Sequence, residues 1–90
     1  GNDNITAEGG YNKIYARSGS DTIKAYGGAN VIDANDDGNA DNIYAAGGAN
    51  VIDTGSGSDT IEVYGGANVI NASDGANKII AGGGANIINT

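Results

Sequence analysis

Tyr26-Gly27-Gly28-Ala29-Asn30-Val31-Ile32-Asp33-Ala34 is the stretch that decides the fold. It carries two glycines, an amide, a β-branched pair and a small residue, in that order. The same phase governs Gly55-Ser56-Gly57-Ser58-Asp59-Thr60-Ile61-Glu62-Val63. Working outward, an isoleucine returns every nine residues, at Ile5, Ile14, Ile23 and Ile32, then at Ile43, Ile52, Ile61, Ile70, Ile79 and Ile88. The register slips once, by two residues, between Ile32 and Ile43. Ten such repeats fill the 90 residues. Self-similarity at a short fixed period is the mark of a solenoid.

Gly or Asn stands four residues before each isoleucine, as at Gly19, Gly28, Asn39, Gly57 and Gly75. These residue types accept positive φ, so that phase is a turn. The isoleucine phase is β-prone, with Val31-Ile32, Val51-Ile52, Val69-Ile70 and Ile87-Ile88. Strand alternation points each isoleucine inward together with the small residue two positions later, which is Ala7, Ala16, Ala25, Ala34, Ala45, Thr54, Val63, Ala72, Ala81 or Thr90. A helix of this period would carry Gly-Gly in its interior at about 1 kcal/mol per glycine. The pattern therefore predicts an all-β parallel β-solenoid with two nonapeptides per coil. It has about five coils, each rising roughly 4.8 Å, built from strands of about three to five residues.

An 18-residue coil is visible in a second pattern. Two positions before each isoleucine the residue type alternates, through Asp3, Asn12, Asp21, Asn30, Asp41, Asn50, Asp59 and Asn68, before becoming Asn77 and Asn86. One edge of the solenoid thus carries an Asp column and the other an Asn column. Asn12, Asn30, Asn50, Asn68 and Asn86 have donor and acceptor on one side chain, so stacked copies can satisfy one another as a structural ladder, the alternative being a weak cation site. The Asp column reads either as cation ligands or as turn residues capping their own backbone.

Composition narrows the function classes. Net charge is −7, from 11 acidic and 4 basic side chains. With no basic patch to displace counterions, nucleic acid and anionic membrane surfaces are poor partners. The same acidity suits calcium, which takes oxygen ligands. The chain has no Cys, so it offers neither a disulfide framework nor thiolate metal sites. It has no His, and its carboxylates fall in columns rather than across a cleft, so no enzyme constellation is expected. No apolar run approaches the roughly 20 residues that span a bilayer. High Gly and Asn content alone would also fit disorder, but a disordered chain has no reason to hold an aliphatic residue at one phase.

Gly55-Ser56-Gly57-Ser58-Asp59-Thr60-Ile61, Ser18-Gly19-Ser20-Asp21-Thr22-Ile23 and Gly1-Asn2-Asp3-Asn4-Ile5 resemble the repeats-in-toxin (RTX) calcium-binding β-roll, whose nonapeptide is G-G-x-G-x-D-x-U-x with U aliphatic. Period and aliphatic phase match along the whole chain, the ligand pattern along about half of it. In that family turn carbonyls and Asp carboxylates of successive turns enclose calcium. The resemblance implies metal ligands at Asp3, Asp21, Asp41 and Asp59, taken as pairs on successive coils. The long repeat adds Asp36 and Asp37, either as extra ligands or as part of a tolerated insertion. The family's first glycine is replaced by Ala, Thr or Val, and Asn replaces Asp on the second edge and at Asn77, which puts calcium there in doubt.

Outward from the Asn half-coils stand Val31, Val51, Val69 and Ile87, with Lys13 in the first coil. This stripe is either β-propensity in a thin sheet or a docking face for another copy or a neighbouring domain. The expected function is a non-catalytic, calcium-stabilised structural or secretion-associated module of an extracellular bacterial protein, secreted or on the cell surface. The alternative is a self-assembling fibre, surface-layer or adhesin element held by amide ladders and the aliphatic face. Ice binding ranks third, because Thr6, Thr22 and Thr60 are interrupted by Lys24, Tyr44 and Lys78. Residues 1–90 read as one array, either a piece of a longer repeat protein or a stacking subunit.

Overall fold

The structure, a computed structural model, describes residues 2–90, apart from the side chains of Asp36 and Asp37. Five strands follow one another: β1 (Asn4–Tyr15), β2 (Thr22–Asp37), β3 (Asn42–Ser56), β4 (Thr60–Asn71) and β5 (Lys78–Asn89). They pair in parallel in the order β1-β2-β3-β4-β5. Each strand lies on the next at one coil's offset, so Ile23 sits over Ile5 and Ile32 over Ile14. The chain is thus the parallel β-solenoid of about five turns that its period predicts.

The strands are longer than the three to five residues expected. β1, for instance, spans 12 residues and includes both of its isoleucines. The reason lies in the Gly-Gly corner. Gly9 pairs with Gly27 and Gly47 with Gly65, and pairing resumes at Tyr11 with Ala29 and at Ala49 with Ala67, so each strand continues across this bend with only a short gap in its register. Side chains at these positions would hold successive corners apart. At the other corner, between strands, the Ser- and Asp-rich turns interrupt the pairing.

Two extra residues in the long repeat are absorbed at that second corner. The register between β2 and β3 shifts between Asp33 and Asp36, and Gly38 takes a φ of 97°. On either side of the bulge, Ile32 still lies under Ile52 and Asn30 under Asn50. Core and edge columns therefore stay in phase, at the cost of irregular backbone where solvent can satisfy it.

The core is built from two columns of isoleucines and two columns of small residues, one of each from either half of the coil. Ile23, Ile32, Ile43, Ile52, Ile61 and Ile70 are fully buried, with Ala25, Ala34, Ala45, Val63 and Ala72 opposite. Ile5, Ala7, Ile79 and Ala81 are partly buried and extend the core toward the outermost coils. Such small partners give a body only 13 Å through its shortest Cα dimension. Thr54 breaks the pattern, because its hydroxyl is buried with no hydrogen-bond partner where Ala16, Ala34 and Ala72 stand in other coils. An unpaired buried hydroxyl costs about 1–3 kcal/mol. Thr54→Val keeps the shape and removes that cost, so it should raise the melting temperature in a thermal melt, by about 4–8 °C for each kcal/mol recovered. An unchanged or lower melting temperature would show that Thr54 Oγ1 is satisfied in solution.

Candidate metal-binding edge

Asp21, Asp41 and Asp59 owe their position to strand alternation. Each stands two residues before an inward isoleucine, at the entry to its strand, so its side chain also turns inward. All three are almost completely buried. Their first carboxylate oxygens bind the previous coil. The backbone N–H of Asp3 donates to Asp21 Oδ1 at 2.8 Å, that of Asp21 to Asp41 Oδ1 at 2.9 Å, and that of Asp41 to Asp59 Oδ1 at 3.0 Å. In the last rung Asp59 N–H donates to Asn77 Oδ1 at 2.9 Å.

Sequence reasoning did not foresee this use of Oδ1. It means that at Asp21 and Asp59 one oxygen is committed to stacking and one is left over. The Oδ2 atoms of Asp21 and Asp59 are buried and accept no hydrogen bond. A buried ionised oxygen without a partner is costly, and a hard cation is the natural partner for it. The backbone carbonyls of Asp3, Asp21, Asp41 and Asp59 are themselves occupied by strand hydrogen bonds. Among the described residues, no three metal-binding side chains come together. Any cation here must therefore complete its shell with turn carbonyls and water. Asp3, in the first coil, is exposed, and the side chains of Asp36 and Asp37 lie outside the described residues.

The turn itself is shaped by glycine. Gly57 takes a φ of 132°, and a Cβ on it would stand 2.0 Å from the Asn39 carbonyl oxygen and 3.2 Å from Asp59 Oδ1. Only a bare backbone can pass this close to both the preceding turn and the carboxylate.

The opposite edge is built from amides. Asn12 Nδ2 donates to Asn30 Oδ1 at 2.9 Å, Asn30 to Asn50 at 2.8 Å, Asn50 to Asn68 at 2.8 Å and Asn68 to Asn86 at 2.7 Å. Each Nδ2 also donates to a corner carbonyl of the next coil, Tyr26 at 3.0 Å, Ala46 at 3.2 Å, Tyr64 at 3.4 Å and Gly82 at 3.1 Å. Both hydrogens of the amide are thereby used, and its oxygen is occupied by the coil before. Among the described residues, no asparagine of this column has a buried side-chain atom without a partner.

Outside, Val31, Val51, Val69 and Ile87 stack in register. Val31 is half-buried, while Val51, Val69 and Ile87 are 45%, 41% and 66% exposed. Ala29, Ala49, Ala67 and Ala85 form a second row beside them in the same register. On the Asp half-coils Tyr26, Tyr44 and Tyr64 form a tilted ring stack, with centroids 5.7 and 5.8 Å apart. Their contact was hidden in the sequence because Tyr44 occupies a different phase of the repeat from Tyr26 and Tyr64. The Tyr64 hydroxyl donates to Glu62, which raises its pKa above the ordinary tyrosine value, with a smaller contribution from desolvation. Lys13 is likewise raised, first by its hydrogen bond with Tyr15, over whose ring its ammonium lies 5.4 Å from the centroid.

The profile of the RTX calcium-binding nonapeptide repeat matches four stretches, residues 1–32, 12–39, 35–61 and 62–90. The chain belongs to the RTX calcium-binding nonapeptide repeat family. Comparison with curated proteins and with solved structures returned no match. These repeats are a structural calcium-binding unit rather than a catalytic one. Calcium is accordingly the ligand expected of the chain, and the spare buried oxygens of Asp21 and Asp59 fit it.

Proposed function

We propose that this RTX array is a calcium-stabilised, non-catalytic structural module whose folding is coupled to calcium on the Asp edge. The observation that carries this reading is the pair of buried, unsatisfied Oδ2 atoms at Asp21 and Asp59. Asp3, Asp21, Asp41 and Asp59 would hold the ions between successive coils, with turn carbonyls completing each shell. Asp36 and Asp37 are candidates for extra ligands on the long turn. Calcium there supplies the positive charge that a stack of carboxylates lacks. Asp21 and Asp59 position the turns through Oδ1 and leave Oδ2 for the ion. Without that neutralisation, aspartates one coil apart repel one another in a dry environment, and the net charge of −7 opposes compaction further.

Exposure to millimolar calcium outside cells matches sites made of few carboxylates, which favours a secreted or cell-surface bacterial protein of which this array is a spacing or secretion-associated part. A second reading has its own observation. The exposed Val and Ile row beside an alanine row offers a flat apolar face for a second copy or an adjoining domain, as in a fibre, surface layer or adhesin.

Far-UV circular dichroism and thermal melts, in calcium and in chelator, with particle size measured in both, test these readings. Calcium at 100-fold above its dissociation constant contributes about 2.7 kcal/mol. The melting temperature should then rise by roughly 10–20 °C, with the chain remaining monomeric. Identical spectra and melts with and without chelator would sink the calcium reading. Concentration-dependent growth that survives chelator would establish the self-assembling one.

A further inference from the structure

On the Asp edge the fourth and fifth coils meet through Asn77 instead of an aspartate. Its Oδ1 receives the Asp59 N–H at 2.9 Å, just as a carboxylate oxygen does in each earlier rung. Its Nδ2 takes the place of the second carboxylate oxygen, and this atom is not idle. It donates to the Ala72 carbonyl at 2.9 Å, five residues back, and to the Ser73 carbonyl at 3.5 Å, four residues back. Both carbonyls lie at the start of the turn that Asn77 closes. Asn30 makes the same backward contact on the other edge, from Nδ2 to the carbonyl of Ala25 five residues earlier, at 3.5 Å.

Asp59 stands one 18-residue repeat before Asn77. The residue five before it is Thr54, and the one five before Asp21 is Ala16. Where Asn77 offers a hydrogen to the turn, Asp21 and Asp59 offer a lone pair, and their Oδ2 atoms find no donor. A carboxylate oxygen and a carbonyl oxygen attract only through something positive between them, either a cation or a hydrogen. Asn carries the hydrogen with it.

We propose that Asn77 is a covalently built-in substitute for a calcium ion. Its amide closes the last Asp-edge turn without metal, and calcium is confined to the rungs that keep aspartate. The same rule makes the whole Asn edge metal-independent, so the solenoid has one edge that is always zipped and one that waits for the ion. In calcium the proposal rests on the reading of the Asp edge given above. In chelator it stands without it.

The test exchanges the two side chains in the full chain. In excess chelator, Asp59→Asn should make the protein more β-rich or raise its melting temperature by at least about 5 °C, because a buried unpaired charge is replaced by a donor. Asn77→Asp should do the reverse in chelator. In calcium it should recover its β signal and bind one more ion per chain than the parent, counted by calorimetry. Failure of Asp59→Asn to gain stability in chelator, or an Asn77→Asp chain that melts in chelator as the parent does, would overturn the proposal. Should Asn77→Asp not fold in either condition, Asp59→Asn decides alone. A parent that ignores calcium while Asp59→Asn is stabilised would remove the calcium reading and leave the amide substitution standing.

Discussion

Gly65→Ala should destroy the solenoid. The methyl would stand 1.9 Å from the Gly47 carbonyl oxygen, 2.9 Å from Asn50 Nδ2 and 3.1 Å from the Gly47 carbonyl carbon. The first and last of these are backbone, which cannot swing aside. Relief requires prising the third and fourth coils apart at the corner, where ladder hydrogen bonds and the Asn50 amide hold them together. The cost should exceed about 4 kcal/mol, in the range of exceptional single substitutions. A chain of this size has roughly 5–15 kcal/mol in total, so most of the molecules would lose the fold or retain only the outer coils. Circular dichroism and amide exchange read the result directly. Two neighbours serve as controls. At Gly66 the nearest atom to a new Cβ is the Gly48 carbonyl oxygen at 3.1 Å, a contact that a small shift relieves. At Gly10 nothing lies within 4 Å, so Gly10→Ala should be neutral or gain about 0.4–1 kcal/mol through reduced freedom of the unfolded chain. Equal melting temperatures for all three variants would refute the close-approach account of the Gly-Gly corner.

Asn50→Ala should be the most damaging truncation on the amide edge. Asn50 is 1% exposed and sits mid-ladder. Its loss takes the Asn50 donor from Asn68 Oδ1 and from the Tyr64 carbonyl, and takes the Oδ1 acceptor from Asn30 Nδ2, all at once. At about 1–3 kcal/mol for each buried group left unpaired, partly offset by relaxation, the expected loss is about 3–5 kcal/mol. Asn12→Ala in the first coil should cost about 1 kcal/mol, because Asn12 is only half-buried and water can replace it. The gradient from outer to central coil is the diagnostic feature. Uniform, small losses along the column would mean that the stacked amides contribute little beyond filling space.

Much of the molecule was readable from residue order. The isoleucine period set the core, and the small residue two positions on gave its thickness. The alternation of Asp3, Asn12, Asp21 and Asn30 marked an 18-residue coil with two unlike edges. The RTX resemblance identified the repeat family that the profile matches. Three features were not readable. Strand length depended on whether hydrogen bonding survives the Gly-Gly bend, which is a property of stacked coils rather than of one repeat. The tyrosine stack joined rings from different phases of the repeat, and only the coil offset brings them together. The absorption of the long repeat at one corner depended on where the register could slip without moving Ile32 from under Ile52.

The deepest division concerns the two oxygens of a single carboxylate. Periodicity in the sequence by itself determined that Asp21, Asp59 and Asn77 share a column and that the chain winds as a parallel solenoid. Only the tertiary structure decided that Oδ1 is consumed by the backbone of the preceding coil while Oδ2 is left buried and bare, and that the Asn77 amide reaches its own turn instead. The period is a one-dimensional property that any repeat displays alone. Whether a buried polar atom has a partner depends on the coil above and the turn behind, and those meet only after the chain has wound once around.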